Sequence, residues 1–273
     1  MNRAELKDRE LIQQALQERS KNVYWDCIFA LRKRKTSRIY ALSLELLESK
    51  QAGAEKLAIN ILAQLGTDQF RKQKKVKALF LRLLMQPQRN KLISTILLAL
   101  GHNNDHFSRK TVKKIATFRK NKKKKIRYAV SFALLGVENP KAVDTLIYLS
   151  KDKCKFIRDW SVFGLANVLA VDSKKLRKAL WASVYDKDKT IRLEAILGLA
   201  SRKDQKIIEV IHQEIEQGDF GILLFDAIQE IGNLKTLAKL NQLKKHHRAG
   251  HKVTLAWQIA LEDCIVKLKS KFN

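Results

Sequence analysis

Three segments of the chain can be laid under one another: Ile126-Arg127-Tyr128-Ala129-Val130, Ile157-Arg158-Asp159-Trp160-Ser161 and Ile191-Arg192-Leu193-Glu194-Ala195. Their arginines stand 31 and 34 residues apart. After each, the pattern runs to a leucine-rich end with a small residue: Ala133-Leu134-Leu135-Gly136, Phe163-Gly164-Leu165-Ala166 and Leu197-Gly198-Leu199-Ala200. Weaker copies flank these. Gly66, Gly101 and Gly136 are spaced by 35 and 35, and Phe225-Asp226-Ala227-Ile228 continues the series 32 residues past Leu193. One helical hairpin cannot bury its apolar stripe alone, whereas a row of hairpins can, so this period demands stacked helix pairs.

Composition supports helices. Only Pro87 and Pro140 and ten glycines interrupt 273 residues that are 45% apolar and rich in Leu, Ala, Ile, Lys and Arg. Each period reads as an outer helix, a polar turn and an inner helix. Pro140 suits a first helical turn, where its missing N–H has no intrahelical partner to lose. Lys141 to Leu149 follows as an outer helix, residues 151–155 as the turn, and Ile157 to Leu169 as the inner helix. Ser173 to Tyr185, 186–189 and Thr190 to Ser201 repeat the plan. Spacings of four place Ile157, Ser161 and Leu165, and likewise Ile191, Ala195 and Leu199, on one core-facing side.

The fold class that follows is all-α, a right-handed α-solenoid of stacked antiparallel helix pairs. It reads as one domain over 1–273, with its clearest repeats at 108–138, 139–170, 173–202 and 204–233. Residues 1–20 and 253–270 read as terminal capping helices. The first would turn Leu6, Leu11, Ile12, Ala15 and Leu16 inward, and the last Leu255, Ala256, Ile259, Ala260, Ile265 and Leu268.

The run from Ile157 to Leu165, with Arg192 through Asp204, resembles the HEAT-repeat family, in particular its phycobilisome-lyase-like bacterial subtype. The likeness is specific over 126–204 and degenerate elsewhere. It implies a HEAT/ARM-like superhelix and a structural ladder in which a turn aspartate holds an inner-helix arginine. Asp152 and Arg158, and Asp186 and Arg192, are each six residues apart, as such a ladder requires. Asn121 stands at the matching place before Arg127. The subtype's name suggests lyase chemistry, for which no catalytic set is identifiable.

Fifty-five Lys and Arg against 27 Asp and Glu give a formal charge of +28. Such self-repulsion calls for a polyanion, counterions or an acidic partner. The cations cluster: Arg32, Lys33, Arg34 and Lys35; Lys72, Lys74 and Lys75; Lys122, Lys123, Lys124 and Lys125; Lys153 and Lys155; Lys187 and Lys189. Most fall in turns between helices, and a solenoid sets equivalent turns in a row, so they predict a positive stripe that tracks phosphates. Nucleic acid is the expected partner and an acidic protein the alternative. Lys outnumbering Arg points to backbone attraction more than base reading.

Four tryptophans lie on predicted helices and read mostly as core. Trp160 differs, because Glu194 holds its place in the next repeat; with Asp159 beside it, an aromatic and a carboxylate could face a groove. Tyr24-Trp25-Asp26-Cys27-Ile28-Phe29 is similar to the Trp-Trp-Asp-x-x-Asp stretch of the HEAT-like alkylpurine DNA glycosylases. That resemblance implies base excision, and it fails where Phe29 replaces the essential aspartate.

Cys27, Cys154 and Cys264 are far apart and signal neither disulfides nor zinc, which fits a reducing cytoplasm. His246, His247 and His251 match no common ligand spacing. No Walker loop, dinucleotide fingerprint, Gly-x-Ser-x-Gly or His-Glu-x-x-His occurs. The reading is therefore a non-catalytic binding module with no metal, cofactor, export signal or membrane span. A monomer is expected.

Overall fold

The structure, a computed structural model, describes residues 7–34, 36–65, 70–247 and 253–272. Among them are sixteen α-helices and no strand. The helices gather into two compact units, Met1–Val137 and Glu138–Asn273.

In the first unit, α1 (Asp8–Gln17) pairs with α2 (Lys21–Arg32), and α3 (Thr36–Glu48) with α4 (Ala52–Leu62). The pairs α5 (Phe70–Met85) with α6 (Ile93–Gly101), and α7 (Arg109–Ala116) with α8 (Lys124–Ala133), complete it. The second members form an inner file in which α2 packs on α4, α4 on α6 and α6 on α8.

The second unit repeats the scheme with α9 (Pro140–Leu149) and α10 (Lys155–Phe163), then α11 (Lys174–Ser183) and α12 (Lys189–Ser201). Next come α13 (Ile207–Gln217) with α14 (Leu223–Ile231), and α15 (Leu234–His247) with α16 (Leu255–Phe272). Its inner file runs α10, α12, α14, α16. Within each unit this is the α-solenoid arrangement.

Local chemistry sets the helix starts. The side chains of Ser108, Asn139, Ser173 and Asp188 accept the N–H groups of Thr111, Lys141, Leu176, and Thr190 with Ile191. These groups have no partner inside the helix, and such caps contribute about 1 kcal/mol each. The inner helices then bury the expected faces: Ile157, Ser161 and Leu165, and Ile191, Ala195 and Leu199, are fully buried. The Ser161 hydroxyl donates to the Ile157 carbonyl at 2.7 Å, which lets a polar group sit there.

Three local expectations are overturned. The inner helix that sequence spacing carries to Leu169 leaves α-geometry at Phe163 and closes with a π-helical turn, Gly164–Val168. There α12 comes so near that a Cβ on Gly198 would lie 2.6 Å from the Ala166 Cβ, and the carbonyls that the turn frees are taken by Arg202. On α16 the buried face is Trp257, Leu261, Cys264, Ile265 and Leu268, whereas Leu255, Ala256 and Ile259 are exposed. The large Trp257 ring, packed between Phe220 and Phe225, fixes that rotation. On α1, Leu16 points outward while Leu11, Ile12 and Ala15 are buried; Leu6 lies outside the described residues.

Inner helices also cap each other. The last carbonyls of any helix lack intrahelical donors. Arg202, after α12, donates to the carbonyls of Leu165 at 2.9 Å, Ala166 at 2.8 Å and Leu169 at 2.8 Å. Asn103, after α6, gives its amide to the Ala63 carbonyl at 3.1 Å, and Asn104 to that of Leu135 at 2.5 Å. Arg32, at the end of α2, donates to the Asn60 carbonyl at 2.5 Å.

Candidate nucleic-acid interface

The two units divide the charge unequally. Met1–Val137 carries 31 Lys and Arg against 10 Asp and Glu, a formal +21, whereas Glu138–Asn273 carries 24 against 17, a formal +7.

In the second unit many cations meet carboxylates. Arg158, only 7% exposed, holds Asp186 with two bonds, Nε at 2.6 Å and Nη2 at 2.9 Å, a bidentate charge-assisted pair. Its Nη1 donates to the Asp152 carbonyl at 3.0 Å. The sequence spacing of six therefore marks a carbonyl contact, and the carboxylate comes from the next repeat. Arg192 follows suit, reaching the Asp186 carbonyl at 3.2 Å and Glu214 at 3.3 Å. Arg127 in the first unit makes the same carbonyl contact to Asn121, at 2.9 Å. The Asp152 and Asp186 carboxylates each accept the N–H two residues on, at 2.9 Å, which shapes the turns. Burial pushes the Asp186 carboxyl up; the Arg158 guanidinium and the Asp188 N–H outweigh it and leave the group below the usual aspartate value.

These rungs bring the turns around 152–155 and 186–189 together. Lys155 is paired with Asp188 across them, holding that carboxyl below its ordinary value, and Lys189 pairs with Asp219 at 2.5 Å. Lys153 and Lys187 are exposed on the same turns. Further ion pairs are Lys175 to Asp144 at 2.5 Å, Lys203 to Glu230 at 2.6 Å and Lys244 to Glu262 at 2.7 Å.

The first unit behaves differently. Lys122, Lys123, Lys124 and Lys125 are all exposed, and among the described residues none forms an ion pair. Lys123 stands at the N-cap position of α8 without a side-chain capping bond, and Lys124 and Lys125 occupy its first turn. A helix start already carries partial positive charge, so three lysines there repel it as well as one another. Lys33, Lys74 and Lys75 are exposed too. Lys35 and the side chain of Lys72 lie outside the described residues.

Two cations singled out in the sequence have internal work. The Arg32 guanidinium binds Gln64 at 2.5 Å besides the Asn60 carbonyl, and burial pulls its pKa down. Arg34 and Arg38 both hold the buried Asp8 carboxylate, at 2.6 Å and 2.7 Å.

Trp160 is half-buried against Phe163, edge to face at 6.1 Å. Asp159 beside it has its carboxyl pushed up, first by burial and then by the Asp188 charge. Glu194, bonded to Asn167, is pushed up by burial and by Asp159. This stretch of α10 and α12 is therefore a crowded set of carboxylates.

The sequence reading did not find the exposed aromatic side of α2. Trp25 is 39% exposed and Phe29 50%, although apolar residues default to core. The signal was present: Lys21, Trp25 and Phe29 recur every four residues, while Cys27, Ile28 and Leu31 supply the buried side. Elsewhere, no group of three metal-binding side chains and no helix long and apolar enough to cross a membrane occurs among the described residues.

No family model matches the chain. Over 140 residues it is 27% identical to Protein YibA of Escherichia coli strain K12 and to Protein YibA of Escherichia coli O157:H7, a stretch covering 51% of this chain and 50% of each relative. In sequence, the chain thus spans about half the length of the curated relatives it matches. The X-ray structure of Escherichia coli YibA is similar at a TM-score of 0.76 and 21% identity, covering 98% of this chain and 94% of that one. A crystal structure of an engineered protein gives 0.51 and 14%, covering 95% and 77%. These likenesses carry the fold, that of a helical-repeat protein.

Proposed function

We propose that this helical-repeat protein is a non-catalytic HEAT-type module, of the phycobilisome-lyase-like subtype in its repeat sequence, that binds the phosphate backbone of DNA or RNA. One observation carries the reading: four consecutive exposed lysines without an acidic partner among the described residues, set at the positive end of α8, in the unit that holds +21 of the +28 charge. Each lysine that meets a phosphate releases a condensed counterion, and the crowding that destabilises the free turn is relieved in the complex. Lys33, Lys74 and Lys75 are further exposed lysines of the same unit, and Lys153 and Lys187 are exposed on the rung-forming turns of the other. Arg32, Arg34, Lys155 and Lys189 are engaged inside the protein and contribute field more than direct contact. Trp160 and Asp159 sit among carboxylates and are not needed for it.

The test is a binding titration of labelled duplex and single strand against salt. Binding should weaken with a logarithmic slope of about 0.9 per phosphate contacted on duplex, and about 0.7 on single strand. A chain that ignores both polymers at low salt sinks the proposal. The exposed Lys122, Lys123, Lys124 and Lys125 also fit an acidic protein. Capture of one acidic protein that survives nuclease treatment, with no affinity for either polymer, would transfer the site to that partner.

A further inference from the structure

We infer that the exposed side of α2 is a stacking platform for the unpaired bases of a single-stranded nucleic acid. The inference rests on the polyanion reading above and assigns it a second, chemically different contact.

Lys21, Trp25 and Phe29 stand four residues apart with Arg32 three further on, so they share one side of the helix over about 16 Å, at 1.5 Å per residue. The Trp25 and Phe29 rings lie 6.1 Å apart with their planes inclined by only 30°. Both are large, apolar and open to water, at 39% and 50% exposure. Neighbouring residues fix them in place. Tyr24 meets Trp25 edge-on at 5.6 Å, and its hydroxyl accepts a bond from Asn60 at 2.9 Å. Arg32 lies over the Phe29 ring at 5.7 Å while carbonyls and Gln64 hold its guanidinium, so it backs the platform and does not reach outward.

A cleft of about 350 Å³ opens at the α2 start, lined among others by Leu16, Arg19, Lys21, Tyr24, Trp25 and Lys56. Lys56 stands over the Tyr24 ring at 5.8 Å. The acid at the cleft, Glu18, already accepts the N–H groups of Arg19 and Ser20, at 2.8 Å and 2.9 Å. Three cations thus surround flat, fixed aromatic faces. A duplex hides its base faces, whereas a single strand offers bases to the rings and phosphates to Arg19, Lys21 and Lys56. Such stacking needs no base-specific hydrogen bond and accepts any base.

The experiment uses the whole chain, a labelled oligothymidylate and a blunt duplex of matched length. In Trp25→Ala/Phe29→Ala, affinity for the single strand should fall at least about tenfold while the duplex stays within about twofold of wild type. Trp25→Phe/Phe29→Tyr keeps two rings and should restore single-strand binding. Replacing Lys122, Lys123, Lys124 and Lys125 by Gln should weaken both polymers. Unchanged single-strand affinity in the double alanine variant, or an equal loss on duplex, overturns the platform while leaving backbone binding standing. If the wild-type chain binds neither polymer, the underlying reading fails and the platform falls with it.

Discussion

The second unit pairs lysines and arginines from repeat to repeat, whereas the first pairs Arg34 and Arg38 with Asp8 and leaves its largest lysine cluster exposed. In Glu138–Asn273, Arg158, Lys155, Lys175, Lys189 and Lys203 each reach a carboxylate 27 to 33 residues away, one repeat further or one back. In Met1–Val137, Lys122 through Lys125 crowd a helix start with no carboxylate partner among the described residues. The same residue type is therefore a rung between repeats in one place and an exposed, mutually repelling group in the other. Only the second arrangement is improved by an external anion.

Asp186 offers the largest effect. Asp186→Ala leaves the buried Arg158 unpaired and should cost about 3–5 kcal/mol in urea unfolding. Because the Asp186 carboxyl is held below its usual value in the fold, its stabilisation is present above about pH 4 and is lost as pH falls through the folded value. The variant should lack that part of the acid transition. A loss under about 1 kcal/mol would mean that the rungs are ornamental and the contrast between units false.

Next comes affinity. Converting Lys122–Lys125 to Gln should lower duplex affinity at least about tenfold and reduce the salt slope by about 0.9 for each lysine that meets a phosphate. An unchanged slope would remove this turn from the interface.

A smaller effect separates repulsion from pairing. Lys124→Glu, in the first turn of α8, should stabilise the free protein by about 0.3–1 kcal/mol at low salt and by less at high salt. Destabilisation would show that the lysine satisfies something inside the protein.

The smallest concerns the carboxylate crowd. Asp159 has a raised folded value, so its ionisation opposes folding: stability is highest below the unfolded value and declines as pH rises through the folded one. Asp159→Asn should give a slight gain in melting temperature at pH 7 and none below about pH 4. A gain that persists in acid would point to packing instead of charge.

The period and its core were legible because Ile157, Ser161 and Leu165 repeat at helical spacing and at repeat spacing together. The rungs were only half legible. Asp152 and Arg158 show the spacing of six, but their contact is through a carbonyl, and the carboxylate lies a full repeat away at Asp186. Sequence distance ranks those two partners in the wrong order because stacking makes residues one period apart neighbours. The rotation of α16 was hidden for another reason: Leu255, Ile259 and Val266 form an apolar stripe as regular as the buried one, and only the size of Trp257 and its Phe220 and Phe225 surroundings choose between them. The π-turn after Phe163 has no signature in residue type that periodicity would detect.

The carbonyls at the close of one inner helix are claimed by Arg202, Asn103 or Asn104 from its neighbour. Excising a single hairpin would accordingly strip donors from the hairpin left behind, orphaning polar groups at about 1–3 kcal/mol apiece. Fraying from a loose end should halt at such joints, so slow amide exchange ought to extend in blocks larger than one repeat.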